Sequence, residues 1–236
     1  MNNFRKSGLI ALVLCLLLTL VACGGDEQKD VATSGDSSSA TTNTQASSNN
    51  AALPDDPMAA IAQALKNQQA AGPYRVKTTI DSAEGKMEMS AEVKLPDQLR
   101  MITNVSDQKM EMVFVGSKGW MKMGDTWSET PLKLGDMLGQ MNVMSAQILT
   151  ETSSNAAKVG NETVNGQETV VYSYDMDMNK SSSMKMDMKS AVKIWVRTSD
   201  GLPIKQEVSG EAMGVKSVST QEIEYDPSIK IEPPVQ

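Results

Sequence analysis

Apolar positions along this chain fall into three successive regimes. They are almost continuous from Gly8 to Ala22, nearly absent from Gly24 to Ala52, and periodic from Leu53 onward. In the third regime the dominant period is two. Met87, Met89, Ala91, Val93 and Leu95 fall on one side of a strand, and Lys86, Glu88, Ser90, Glu92 and Lys94 on the other. Later, Met184, Met186, Met188, Ser190, Val192, Ile194 and Val196 alternate with Lys185, Asp187, Lys189, Ala191, Lys193, Trp195 and Arg197. Such alternation predicts antiparallel strands with one dry and one wet face. Further strands are predicted over Tyr74–Asp81, Leu99–Val105, Lys109–Val115, Trp120–Met123, Glu168–Met178, Ile204–Ser209 and Met213–Ile223. Turn signals at Glu84-Gly85, Gly124-Asp125, Asn165-Gly166 and Asp200-Gly201 separate several of them.

Helical spacing occurs twice. Asp55 or Asp56 can cap a helix that has Pro57 in its first turn and Met58, Ile61, Ala62 and Leu65 on one stripe, stopped by Gly72-Pro73. A second helix is predicted within Pro131 to Ile148, where Leu134, Met137, Leu138, Met141 and Met144 share a face. About nine strands and two or more helices make an α+β fold. The dry face of a long sheet needs a cover, and a long antiparallel sheet curls. The expected architecture is therefore a curved antiparallel sheet, a half-open barrel, covered by helices.

The first two regimes divide the chain. Arg5 and Lys6 followed by the apolar run form a secretory signal peptide over residues 1–22. Leu20-Val21-Ala22-Cys23 at its end resembles the lipobox of bacterial lipoproteins. The resemblance implies cleavage before Cys23, a diacylglycerol on its thiol and acylation of the new amino terminus. Gly24 after Cys23 lacks the aspartate that favours inner-membrane retention, which leans towards an outer membrane, facing the periplasm, in a host with two membranes. Residues 23–52 then read as the lipidated cysteine and a disordered tether spanning roughly 30 Å. Residues 53–236 form one ligand-binding domain.

Composition narrows the function. Removing residues 1–22 takes away two positive charges and turns a net charge of −7 into −9. An acidic body does not suit nucleic acid, so membrane contact must come from the Cys23 acyl chains. With no histidine, and no cysteine beyond Cys15 and Cys23, Ser-His and Cys-His pairs and His-ligated zinc are excluded. Neither a nucleophile–base pair nor a cofactor fingerprint is present, so the expectation is a non-enzymatic protein without a cofactor.

Eighteen methionines are the other departure from ordinary composition. They recur as Met87/Met89, Met110/Met112, Met121/Met123, Met176/Met178 and Met184/Met186/Met188, each set on one side of its strand. Three readings stand. Methionine simply fills core space; or it lines a yielding cavity for acyl chains, with Met137, Leu138, Met141 and Met144 facing that cavity from the second helix; or its thioethers hold copper(I). Along a strand, i and i+2 sulfurs lie about 7 Å apart, so one pair cannot chelate an ion alone. Facing pairs on neighbouring strands could.

Three further segments carry a family resemblance: Val115-Gly116-Ser117-Lys118-Gly119-Trp120-Met121 as a displayed aromatic hairpin, Val192–Val196 leading into Asp200-Gly201-Leu202-Pro203-Ile204-Lys205, and a final Tyr225-Asp226-Pro227. With the helix that precedes the strands, this order resembles the LolA-like superfamily and its lipid-anchored LppX/LprG-type lipoproteins. The resemblance implies a half-open sheet closed by helices around an apolar cavity. It transfers no individual binding residue. The function expected is a membrane-anchored carrier of a lipid or other apolar ligand; the alternatives are a copper(I)-binding envelope lipoprotein and a structural or signalling accessory that contacts another envelope protein.

Overall fold

The structure is a computed structural model that describes residues 53–83, 85–105, 108–132, 134, 146–181, 188–212 and 215–234. The signal segment, Cys23 and the tether lie outside these residues, as do Met137, Leu138, Met141, Met144, Met184 and Met186.

The chain opens with α1 (Pro57–Ala70). Asp56 caps it, its carboxylate accepting a hydrogen bond from the Ala59 amide at 2.8 Å, and Pro57 occupies the first turn where a missing N–H costs nothing. The buried line is Ala60, Ile61, Ala64 and Gln68, with Met58, Ala62 and Leu65 only partly buried. The helix is thus rotated slightly from the stripe read in the sequence. Two alanines at the contact let its backbone lie close to the strands beneath.

Six strands follow: β1 (Tyr74–Ser82), β2 (Gly85–Lys94), β3 (Gln98–Val105), β4 (Gln108–Val115), β5 (Lys118–Met123) and β6 (Thr126–Thr130). A short helix α2 (Ala146–Thr152) precedes β7 (Ser153–Val164) and β8 (Gln167–Asp177). After a 3₁₀ turn at Met178–Lys180 come β9 (Met188–Arg197), β10 (Pro203–Ala212) and β11 (Val215–Tyr225). All neighbours pair antiparallel in the order β6-β5-β4-β3-β2-β1-β11-β10-β9-β8-β7. Two meanders are therefore zipped together by β1 and β11, and the sheet remains open between β6 and β7.

The count is eleven strands, not nine. All nine expected strands form, with Met178 in the 3₁₀ turn instead of at the end of β8. The additional two are β6 and β7, the edges. β7 is a polar, largely exposed strand whose pairing shifts register after Ser154 and after Lys158, so its sequence shows no alternation. Asn165-Gly166 makes the predicted turn, both residues at positive φ as a two-residue hairpin demands.

Helix cover is smaller than expected. Among the described residues, α1 and α2 pack on the β8–β10 half, joining Tyr172, Tyr174, Met176, Val192, Ile194 and Val208. The other half carries a second cluster built from β1–β4 and β11, with Tyr74, Val76, Met89, Met101, Met112 and Phe114 at its centre. Leu134 belongs to that second cluster, whereas Ile148 and Leu149 belong to the first. The chain thus leaves β6 over one half of the inner face and enters β7 over the other.

Candidate functional site

The inner face is the one on which both clusters lie. Every inward position of β1–β5 and β9–β11 is uncharged. Methionines dominate one part of it. Met87, Met89, Met101, Met112, Met176, Met178 and Met188 are all buried, at 8% exposure or less. Met110 and Met121 are half-buried against the β1–β4 cluster.

Register turns scattered sequence pairs into a patch. Met101, Met112 and Met121 stand directly opposite one another on β3, β4 and β5, and Ala91, Val76 and Ile223 continue the same row across β2, β1 and β11. In the next row Met123 stands opposite Met110, Met110 opposite Thr103, and Thr103 opposite Met89. Met87 lies opposite Ile80, one row further. Met176, Met178 and Met188 are on the other half, beneath α2 and beside the 3₁₀ turn. Among the described residues, the predicted lining methionines therefore form two groups.

Between the two halves runs a seam of neutral polar side chains. Thr78, Gln221 and Gln206 are consecutive neighbours on β1, β11 and β10, with Ser219 one row away between Ile80 and Val208. All four are at least nine-tenths buried, and the Ser219 hydroxyl has no hydrogen-bond partner among the described residues. Sequence reasoning missed this seam. Gln206 and Gln221 carry no sequence signal of burial, and only the register of β1, β11 and β10 brings them beside Thr78.

Ionisation leaves the inner face neutral. Burial pushes the phenols of Tyr74 and Tyr174 well above the usual tyrosine range. Tyr172 is raised as well, by burial first and then by the Asp55 charge.

The outer face holds the charges. Glu111, which lies between two inward methionines, is only 7% exposed and is held by Arg100, Nε at 2.8 Å and Nη2 at 2.6 Å. Trp120, in the segment read as a displayed aromatic hairpin, is buried. It packs with Val113, Ile229 and Ile231, with Trp127 at the margin, because the C-terminal segment folds back over β4. Trp195 is also buried, its indole N–H donating to Glu162 Oε2 at 2.7 Å while Lys205 Nζ sits 4.4 Å from the ring centre.

The Asp200-Gly201-Leu202-Pro203 motif is a structural clamp. Arg197 Nε donates to Asp200 Oδ1 at 2.9 Å, Leu202 N–H donates to the same oxygen, and Asn67 Nδ2 on α1 donates to the Gly201 carbonyl. The Tyr225 hydroxyl donates to the Pro203 carbonyl at 2.8 Å, tying in the last strand.

Two hollows are present among the described residues. One of about 210 Å³ lies beside Tyr172 and Gly201. An open groove of about 690 Å³ runs between the β1–β2 and β10–β11 hairpin tips, past Ser82, Gly210 and Ser217. Neither is bordered by methionine. No group of three or more Cys, Asp or Glu among the described residues is placed to hold a metal ion.

The fold is an open, antiparallel sheet of eleven strands in this order. No family model and no curated protein matches the sequence. Solved structures do. LppX, a lipoprotein of Mycobacterium tuberculosis, superposes with a TM-score of 0.56 at 15% identity, over 75% of this chain and 98% of that one. LprF of Mycobacterium bovis gives 0.52 at 8% identity, over 78% of this chain and 100% of that one. The resemblance read from the sequence is therefore correct at the level of the fold.

Proposed function

We propose that this protein is a non-enzymatic, membrane-anchored lipoprotein of the cell envelope that binds a lipid or other apolar ligand against its inner face. The observation that carries the reading is the uncharged inner face, with methionines massed on β2–β5. A stiff core specifies one packing, whereas unbranched thioether side chains re-pack around varied shapes. Acyl chains would lie along Met87, Met89, Met101, Met110, Met112, Met121 and Met123. Met137, Leu138, Met141 and Met144 would close over them, and Met176, Met178, Met184, Met186 and Met188 would complete the lining on the far half. The polar end of such a ligand would meet the seam at Thr78, Gln206 and Ser219, where a neutral ester or hydroxyl finds hydrogen-bond partners. Acyl chains on Cys23 would hold the body at the membrane, two or more being needed for a stable anchor.

One fractionation experiment tests both parts. Wild-type protein should partition with membranes, and Cys23→Ser should appear in the soluble fraction or remain as uncleaved precursor. Native mass spectrometry of the gently extracted wild type should then show a bound lipid mass. A protein that is consistently empty, and takes up neither fatty acid nor phospholipid when these are added, overturns the binding role; a fully processed Cys23→Ser variant still in the membrane overturns the anchor.

A further inference from the structure

The row Met101–Met112–Met121 has a chemistry that packing does not use. Along a strand, same-face residues are about 7 Å apart, but strands themselves lie about 4.8 Å apart. Each neighbouring pair in this row of three adjoining strands therefore stands closer together than any Met-x-Met pair does. Each arm has three rotatable bonds, so the outer two sulfurs can swing over the central one. Met110, two residues before Met112 and on the same face, offers a fourth donor. Met101 and Met112 are buried, at 4% and 7% exposure, whereas Met121 is half-buried and leaves a side through which an ion can enter.

We propose that this row is a thioether site for a soft monovalent cation, copper(I) or silver(I), held by three sulfurs in a trigonal arrangement. The selectivity follows from the surroundings. Among the described residues, inward strand positions supply no carboxylate, imidazole or thiolate, so a hard or divalent ion would have to shed its water with nothing there to replace it. A soft ion of single charge loses less on desolvation and prefers sulfur. The acidic body also raises the local concentration of cations. The site forms without a lipid, but its methionines also belong to the wall proposed for acyl chains, so the two ligands compete for it.

The test uses the full-length chain carrying Cys15→Ser and Cys23→Ser, which removes both thiols and leaves thioethers as the soft donors. Under anaerobic conditions this protein should withdraw one copper(I) per chain from bicinchoninate, and silver(I) should displace it. X-ray absorption should show sulfur-only coordination, and neither copper(II) nor zinc(II) should be taken up. Met112→Leu should weaken copper(I) binding at least tenfold, and Met121→Leu, at a less buried position, should do likewise. Met176→Leu, on the other half of the sheet, should leave binding unchanged. Methionine-to-leucine changes conserve volume well enough to keep the fold, which circular dichroism checks for each variant. Failure to compete with the chelator, retention of affinity in both Met112→Leu and Met121→Leu, or an equal loss in Met176→Leu overturns the site.

Discussion

Gly201 sits at φ +68° in the turn between β9 and β10, and a Cβ built there would stand 2.8 Å from Asn67 Nδ2. Alanine must therefore adopt a left-handed backbone and also push away the side chain that ties α1 to this turn. Gly201→Ala should cost about 1–3 kcal/mol, the usual penalty for a non-glycine residue in that region. Urea denaturation would show it as a lower midpoint with an unchanged slope, and an unchanged midpoint would mean that the clamp contributes nothing. The sequence announces a turn at Asp200-Gly201. It cannot announce Asn67, because that contact joins residues 134 positions apart. The same limit applies to Glu111. Its place between two inward methionines says only that it points outward, and the Arg100 pairing that buries it depends on the register of β3 against β4.

Among the elements, strands with an alternating pattern were legible and strands without one were not. β2 and β9 show period two because each lies inside the sheet with one face against the core. β6 and β7 lie at the edges. Thr126–Thr130 has a single buried residue, and the twelve residues of β7 have none. β7 is held by hydrogen bonding to β8 and by side-chain ties, Asn155 to Asp175, Thr163 to Glu168, and Glu162 to the Trp195 indole. Glu162→Ala should therefore loosen the edge, at a cost of about 1.5–3 kcal/mol, the value of a hydrogen bond to a charged group. It should also leave the buried Trp195 N–H unpaired and change that residue's environment, which fluorescence of a Trp120→Phe/Trp127→Phe background would report. Unaltered emission and stability would show that the Glu162 tie contributes nothing to holding β7. The methionine patch was half legible in the same sense. Spacing gave each pair its side, but only the pairing of β3, β4 and β5 brought three of them into one row.

At the scale of the whole molecule, the two meanders meet along β1 and β11, so opening either half strips partners from the other. The four tyrosines report on both halves. Tyr74 and Tyr225 stand opposite each other where β1 meets β11, and Tyr172 and Tyr174 lie on β8. Every one of them has its phenol pKa raised. Burial is the main cause, joined at Tyr225 by the neighbouring Tyr74 and opposed there by Arg197. A phenol whose pKa is higher in the folded chain keeps its proton there while the unfolded chain releases it near pH 10. The unfolded state then binds fewer protons, so stability is fully present below about pH 10 and falls as pH rises beyond it. Phenolate absorbance should accordingly stay flat through pH 10 and rise together with the loss of near-ultraviolet dichroism, in one step if β1 and β11 couple the halves. Two separate steps would mean that the meanders open independently. Half of the phenolate signal at pH 10 with the dichroism intact would mean that the inner face is wet, and with that the uncharged wall proposed to receive an apolar ligand would be lost as well.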